Sequence, residues 1–328
     1  MRTNLIIDGN YLLHKDVFIL YDTKTLYSDL PVLMRNDLDR LTKMYAYDNI
    51  YFVSDSKMRW RQDYFEEYKQ NRKHDENIDW GFVYNEYDKL KEEIKSRPNF
   101  FSYEIDWAEG DDVIAYIVKE TNKLGSSNVI MAADSDLHQL LKFDLSQEYI
   151  NIIYNYKLSD EKTYFPKNYQ IFLSEMSKVS TANLFDMNED DDLLEFLEYL
   201  DTRTKTVEVI SEKSLFCKLI SGDKKDNVPS VYITQTKNGK ERGIGITGGE
   251  SIYNLYKETN ADEINFDADD FIEKTADVVY YSRKITDKSH LDIIKENIKR
   301  NMILLTLDEK YLPKNISDNM KNTVKIRY

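Results

Sequence analysis

Three short apolar runs in this chain each end in an aspartate: Leu5-Ile6-Ile7 before Asp8, Tyr51-Phe52-Val53-Ser54 before Asp55, and Val129-Ile130-Met131-Ala132-Ala133 before Asp134. Short continuous apolar runs separated by helical pattern read as buried parallel strands, and open α/β sheets hold ligands outside the carboxyl ends of such strands. The three aspartates are therefore expected to converge. Glu109, Asp111 and Asp112 open a helical pattern, Asp136 follows Asp134 by two, and Asp223 and Asp226 flank two lysines in a Gly-Asp-Lys-Lys-Asp-Asn loop at 222–227. Two carboxylates ~4 Å apart repel by roughly 4 kcal/mol at an effective dielectric of ~20, so a cluster this dense needs cations to stay ionised. It reads as a metal site. With four His and a single Cys, Cys217, a zinc site is hard to assemble, and oxygen ligands point to Mg2+ or Mn2+.

Each acid also has an ordinary alternative. An aspartate after a strand commonly caps a helix or turn, and acids in a first helical turn favour the helix dipole, a reading that suits Asp112 best. Glu109 and Asp112, three apart, share a helix face while Asp111 points elsewhere, so the triplet divides between metal contact and support. Asp134 and Asp136, two apart, aim to one side of an extended backbone. Gly243-Ile-Gly245 is weak alone, although small residues there let backbone amides approach a phosphate.

The net charge of −14, taken over the whole chain, argues against a polyanionic partner. Location decides otherwise: residues 160–203 carry 11 acids against four Lys/Arg, the nine acids named above carry nine more charges, and the remainder is mildly basic at +2. The lone cysteine and the absence of an apolar segment before the first strand suggest a cytosolic chain without disulfides. No stretch approaches the roughly 20 apolar residues of a membrane span.

The length suggests more than one packing unit. Residues 1–159 read as an α/β core. Within it, residues 56–80 are rich in Arg, Lys and aromatics without a clean apolar stripe, which suggests a helix or arch lying off the core. Residues 160–203 read as an acidic insertion outside the core, with 186–201 a solvated or disordered face. Residues 204–328 read as a mostly helical region, with a polar loop over 232–242 and a basic tail at Lys321, Lys325 and Arg327.

The set Leu5-Ile-Ile-Asp-Gly9, Phe52-Val-Ser-Asp55, Tyr68-Lys-Gln-Asn-Arg72, Glu109-Gly-Asp-Asp112, Ala133-Asp-Ser-Asp136, Gly222-Asp-Lys-Lys-Asp-Asn-Val-Pro229 and Gly243-Ile-Gly245 resembles the flap endonuclease and 5′→3′ exonuclease family. The ribonuclease H type of T-even phages shares the lysine-rich loop and the Tyr-Lys-x-Asn-Arg stretch. The resemblance implies an α/β fold with a mostly parallel sheet, flanking helices and a helical arch, followed by a helix-hairpin-helix region that grips duplex. It implies that Asp8, Asp55, Glu109, Asp111, Asp134, Asp136, Asp223 and Asp226, with Asp112 as a further candidate, hold two or more Mg2+ or Mn2+ ions, and that K+ sits at the hairpin. Lys69 and Arg72 would touch the scissile phosphate and Tyr68 would offer a stacking face. Arg59, Arg61, Lys224, Lys225, Gly243 and Gly245 would contact nucleic acid.

The activity so implied is a structure-specific 5′ nuclease of replication or repair, monomeric, acting on DNA and RNA–DNA hybrid with a 5′ end or flap. A single-stranded DNA-binding protein or sliding clamp would be its partner, in a bacterial or phage-infected cell. Relatives carry a lysine soon after the Gly-x-Gly, where this chain has Ile246, Thr247 and Gly248; Lys237, Lys240 and Arg242 in the preceding loop could compensate. Two rivals are open to the sequence: a PIN-like RNA nuclease, which generally lacks the hairpin, and a non-catalytic DNA-binding or replisome adaptor.

Overall fold

The computed structural model describes residues 2–73, 75–156, 160–182, 190–236, 238–260 and 264–327. The apolar runs form strands as their pattern requires. β1 (Thr3–Asp8) leads into α1 (Gly9–Thr23) and α2 (Leu26–Thr42), and β2 (Asn49–Ser54) into the five-residue α3 (Trp60–Tyr64) and α4 (Trp80–Lys95). Then follow β3 (Phe100–Glu104), α5 (Gly110–Asn122), β4 (Ser127–Met131), β5 (Lys142–Asp144), β6 (Tyr149–Asn155), β7 (Lys162–Pro166), α6 (Tyr169–Ala182), α7 (Asp190–Arg203) and β8 (Lys205–Val209). The sheet order is β3-β2-β1-β4-β6-β7-β8, with β5 also paired to β6. The first five strands in that order run parallel, and β7 is antiparallel to β6.

Because β2 lies on one side of β1 and β4 on the other, the order reverses at β1. The carboxyl ends of β1 and β4 therefore flank a switch point, the position where doubly wound sheets open a crevice. Every residue of β2 and β4 is buried, as expected for strands covered on both faces. On one face Leu5, Ile7, Phe52, Val129, Met131 and Ile152 share a continuous core with residues of α1, α2, α4, α6 and α7.

A row of asparagines crosses the sheet at the opposite end. Asn49, Asn4, Asn128 and Asn151 are in direct register on β2, β1, β4 and β6. Their amides bond in sequence: Asn49 Nδ2 to Asn4 Oδ1 at 3.0 Å, Asn4 Nδ2 to Asn128 Oδ1 at 3.2 Å, and Asn128 Nδ2 to Asn151 Oδ1 at 2.8 Å. A slip of one residue would bury these amides unpaired and turn every side chain to the other face. The row thus fixes the register that places Asp8 opposite Val53, two residues before Asp55.

The described residues divide into two compact units. The sheet unit comprises residues 2–59, 75–209 and 308–327; the second comprises 60–73 and 210–307. Residues 160–182 and 190–209 do not lie outside the core. β7 and β8 extend the sheet, and Phe165, Phe172, Leu193, Phe196, Leu197 and Leu200 are buried in the same cluster as β1 and β2. Leu193, Phe196, Leu197 and Leu200 follow a helical stripe, i, i+3, i+4, i+7, whose signal the surrounding acids obscured. Of the stretch read as a solvated face, residues 186–189 lie outside the described residues. The basic tail is not free either. After α12 (Lys314–Thr323), the backbone of Lys325 exchanges hydrogen bonds with Tyr103 Oη, and Arg327 lies 4.9 Å over the Phe101 ring on edge strand β3.

The second unit contains α8 (Ser211–Ser221), a hairpin of β9 (Ile233–Gln235) and β10 (Glu241–Gly243) where a polar loop was expected, α9 (Ile246–Asn260), α10 (Phe271–Ser282) and α11 (Ser289–Leu305). Gly249 lets α9 approach α8: a Cβ there would meet the Cys217 carbonyl oxygen at 3.1 Å.

Candidate metal centre and nucleic-acid interface

The strand-end acids of the sheet unit gather as the topology requires. Asp111, from the first turn of α5, joins Asp134 and Asp136, from the turn after β4, with one carboxylate oxygen of each within 4.8 Å of the others. Oxygens on opposite sides of one octahedral Mg2+ lie about 4.2 Å apart, so three hard, half-buried donors at this spacing suit such an ion. Asp134 also caps the turn that carries Asp136, accepting its N–H at 2.9 Å.

Asp8 caps α1, its Oδ1 accepting the Tyr11 N–H at 2.9 Å. Loss of hydration pushes its carboxyl up to about 7, with the Asp55 and Asp134 charges adding and the Tyr11 and Asn10 amides opposing. Asp55 and Asp134 thus lie close enough for their charges to oppose ionisation of Asp8, an opposition that a bound cation would relieve. Asp55 is pinned by Gly110 N–H at 2.7 Å on Oδ1 and Asn10 Nδ2 at 3.1 Å on Oδ2, which ties the end of β2 to the starts of α5 and α1. Gly9 is required beside it, since a Cβ would fall 2.3 Å from the Tyr87 hydroxyl and 2.5 Å from Phe52.

Glu109 and Asp112 divide from Asp111 as expected of the triplet. Both are buried, and the Glu109 N–H donates to Asp112 Oδ2 at 3.3 Å in a capping box that starts α5. Asp112 is accordingly a cap. The Glu109 carboxylate lies 3.8 Å from Arg59 Nε.

Asp223 and Asp226 belong to the second unit, as do Lys69 and Arg72. Gly222 adopts φ +69°, and a Cβ there would strike the Val228 carbonyl oxygen at 2.2 Å; this turn closes the loop through paired Asp223 and Val228 backbones. Asp223 accepts the Lys225 N–H at 2.7 Å and pairs with Lys218 at 3.1 Å. Asp226 is buried and receives Tyr68 Oη at 3.1 Å on Oδ2 and Arg72 on Oδ1, with Lys69 Nζ at 3.4 Å. Lys224 and Lys225 are exposed beside it.

Residues 60–73 are not an arch held away from a core. They form α3 and a run of turns in which Trp60, Arg61, Tyr68 and Lys69 are buried. Arg61 donates to the Leu304 carbonyl at 2.9 Å and stacks on Trp60 at 4.5 Å, so it is a packing residue here and not a nucleic-acid contact; Tyr68 likewise shows no open stacking face. Long amphipathic side chains buried through carbonyl and carboxylate partners carry no apolar stripe, which is why the sequence pattern missed this docking.

At the hairpin, a Cβ on Gly243 would meet Ser230 Cβ at 2.8 Å, whereas Gly245 faces open space. Ser230 Oγ accepts the Ile244 N–H at 2.9 Å and fixes the entry to α9. Lys240 and Arg242 are exposed; Lys237 lies outside the described residues.

A doubly wound α/β unit with carboxylates gathered at its switch point, joined in one chain to a helix-hairpin-helix unit, defines a class of metal-site protein. The model of the 5′-3′ exonuclease N-terminal, resolvase-like domain matches residues 3–170, and the chain belongs to that family. It is 26% identical over 256 residues to a 5′-3′ exonuclease of Mycoplasmopsis pulmonis, across 77% of this chain and 66% of that protein. It is 32% identical over 87 residues to ribonuclease H of phage T4, across 26% of this chain and 28% of that one. These matched regions thus span no more than 66% of the relatives' own lengths. The phage T5 D15 protein co-crystallised with metal ions shares the fold, with a TM-score of 0.60, 18% identity and 98% of each chain covered. So does a T5 D15 flap endonuclease variant in a pseudo-enzyme-product complex with DNA and metal ions, at 0.60, 17% and 98% of each chain.

Proposed function

We propose that this protein is a divalent-metal-dependent 5′→3′ nuclease that cleaves DNA at 5′ ends or flaps and removes RNA from RNA–DNA hybrids during replication or repair. The observation that carries this reading is the trio Asp111, Asp134 and Asp136, whose oxygens lie within 4.8 Å of one another at the carboxyl ends of the parallel strands. Asp8, Asp55 and Glu109 border it in the same unit. In two-ion hydrolysis the bound Mg2+ or Mn2+ would supply an activated water and charge stabilisation for the attacking and leaving oxygens. The carboxylates hold and orient; Asp8 in addition carries a proton near neutrality that binding of a cation would release. In the second unit, Asp223 and Asp226 would hold a divalent cation, Lys69 and Arg72 would neutralise a substrate phosphate, and Lys224, Lys225 and the hairpin around Gly243 and Gly245 would meet backbone phosphates, with K+ at the hairpin. Arg59, beside Glu109, would bind nucleic acid from the sheet unit. Among the described residues, no helix is long and apolar enough to cross a membrane.

The test is cleavage of a 5′-labelled flap duplex, a plain single strand and a nicked RNA–DNA hybrid, with Mg2+ and with chelator. Short metal-dependent 5′ products from flap or hybrid are expected. Binding without cleavage in any divalent metal would refute the nuclease and leave a DNA-binding adaptor.

A further inference from the structure

Asp55 is gripped at three atoms, and one side chain supplies two of the three contacts. Asn10 Oδ1 accepts the Asp55 backbone N–H at 3.1 Å, while Asn10 Nδ2 donates to Asp55 Oδ2 at 3.1 Å. The backbone donor decides which way the amide points: only its oxygen can face an N–H, so its NH2 faces the carboxylate. The third contact is the Gly110 N–H on Oδ1 at 2.7 Å, an approach that glycine permits, since a Cβ there would stand 3.0 Å from the same oxygen. Asn10 is itself fixed. It lies in the first turn of α1, and the buried Tyr87 hydroxyl reaches its Oδ1 at 3.4 Å while also meeting Ser54 Oγ at 2.8 Å.

A half-buried carboxylate with a donor on each oxygen cannot swing toward a neighbouring ion without breaking a hydrogen bond. The orientation so fixed keeps Asp55 out of the converging group: among the described residues, Asp111, Asp134 and Asp136 form the one set of three acids with an oxygen each within 4.8 Å. Asp55 nevertheless stands near enough for its charge to act on Asp8. Its carboxylate is thus beside the crevice and held back from it, and this bears on ion size. Mg2+ demands near-octahedral coordination at about 2.0–2.1 Å and keeps several waters, whereas Ca2+ takes about six to eight oxygens at about 2.3–2.6 Å, often both oxygens of one carboxylate. An Asp55 free to turn inward would add the oxygens that the larger ion uses. We propose that Asn10 is a specificity-determining residue of the metal centre: by holding the Asp55 carboxylate away from the Asp111, Asp134 and Asp136 oxygens, it keeps the ligand count low and favours Mg2+ over Ca2+. The inference rests on the metal-centre reading above and adds to it which residue sets the choice of ion.

The experiment loads the full chain with Mn2+ in the absence of nucleic acid, displaces it with Mg2+ or with Ca2+, and reads the released Mn2+ by electron paramagnetic resonance. The ratio of Mg2+ to Ca2+ concentrations needed for half-displacement reports the preference, and ions held elsewhere in the chain contribute alike to every variant. Asn10→Ala should shift the ratio toward Ca2+ by at least about fivefold, within the range found when partners of metal ligands are removed. In an Asp55→Ala background the same substitution should leave the ratio unchanged, because Asn10 acts through that carboxylate. A purely structural role would weaken both ions alike, so an unchanged ratio in Asn10→Ala overturns the proposal. An equal shift with and without Asp55 overturns it as well. Should Asn10→Ala fail to fold, Asn10→Ser decides on the same criteria, since its hydroxyl suits a first helical turn but is too short to bridge both contacts. Absence of Mn2+ binding in the wild type would sink the metal centre and this proposal together, whereas an unchanged ratio with Mn2+ bound sinks only the role of Asn10.

Discussion

Replacing Asn128 with alanine tests whether the buried amide row holds the sheet that carries the site. Asn128 donates to Asn151 Oδ1 at 2.8 Å and Asn122 Oδ1 at 3.0 Å, and accepts from Asn4 Nδ2 at 3.2 Å and Thr121 Oγ1 at 3.0 Å. Thr121 keeps its bonds to the Ile117 and Val118 carbonyls, and Asn122 is only part-buried. The substitution therefore strands two groups, Asn4 Nδ2 and Asn151 Oδ1, in fully buried surroundings. At about 1–3 kcal/mol for each unsatisfied buried group, the expected loss is about 4 kcal/mol. Urea unfolding followed by circular dichroism gives the number, with an unchanged slope confirming that stability alone has moved. Asn122→Ala, which leaves its partner within reach of the rest of the row, should cost less than about 1 kcal/mol. A loss below about 1.5 kcal/mol for Asn128→Ala would mean that water or a rearranged amide replaces the row, and the register argument would fall.

Asp16 is buried with Lys15 at 2.8 Å as its one ion partner among the described residues, and Lys15 is shared with Asp37, which Tyr156 and, through it, Arg40 also face. Burial pushes its carboxyl up from 3.8 to about 7, Lys15 opposing and Asp37 adding. The folded state then holds a proton that the unfolded chain releases, so stability should fall as pH rises from about 4 to about 7, by at most about 1.4 kcal/mol per unit; Asp16→Asn should flatten that slope in urea titrations, and an unchanged slope would contradict it. Phe196→Ala should cost about 3–5 kcal/mol if the acidic stretch is core, whereas a solvated helix would lose almost nothing in the same assay. Gly222→Ala, at φ +69° against the Val228 carbonyl, should cost about 2–4 kcal/mol, while Gly245→Ala, facing open space, should be near neutral; equal melting temperatures would undo the loop argument.

The sheet and its acids were legible because burial on both faces leaves continuous apolar strands, and the residue after each strand has little to do except cap, turn or serve the crevice. Asp8, Asp55 and Asp134 could be placed on that ground alone, and the division of Glu109, Asp111 and Asp112 followed from helical spacing. The amide row was missed although its signal is plain: Asn4, Asn49, Asn128 and Asn151 each stand immediately before an apolar run. A polar residue at such a place looks like a strand boundary until its neighbours across the sheet are known. Phe196 and its stripe were hidden by composition, since eleven acids over 160–203 outweighed a helical pattern of four apolar residues. The docking of Arg61 and Tyr68 had no local signal, because their partners, Leu304 and Asp226, lie far along the chain.

The central claim is that the carboxylates at the strand ends hold the ions that cleave nucleic acid. Its most direct test is the rate at which purified Asp134→Asn protein cleaves a 5′-labelled flap duplex in Mg2+, beside the wild type and with melting temperatures compared. The account predicts a loss of at least about a hundredfold in rate, some 2.7 kcal/mol of transition-state stabilisation, with the fold intact. A variant that folds and cleaves within about threefold of the wild type would contradict it.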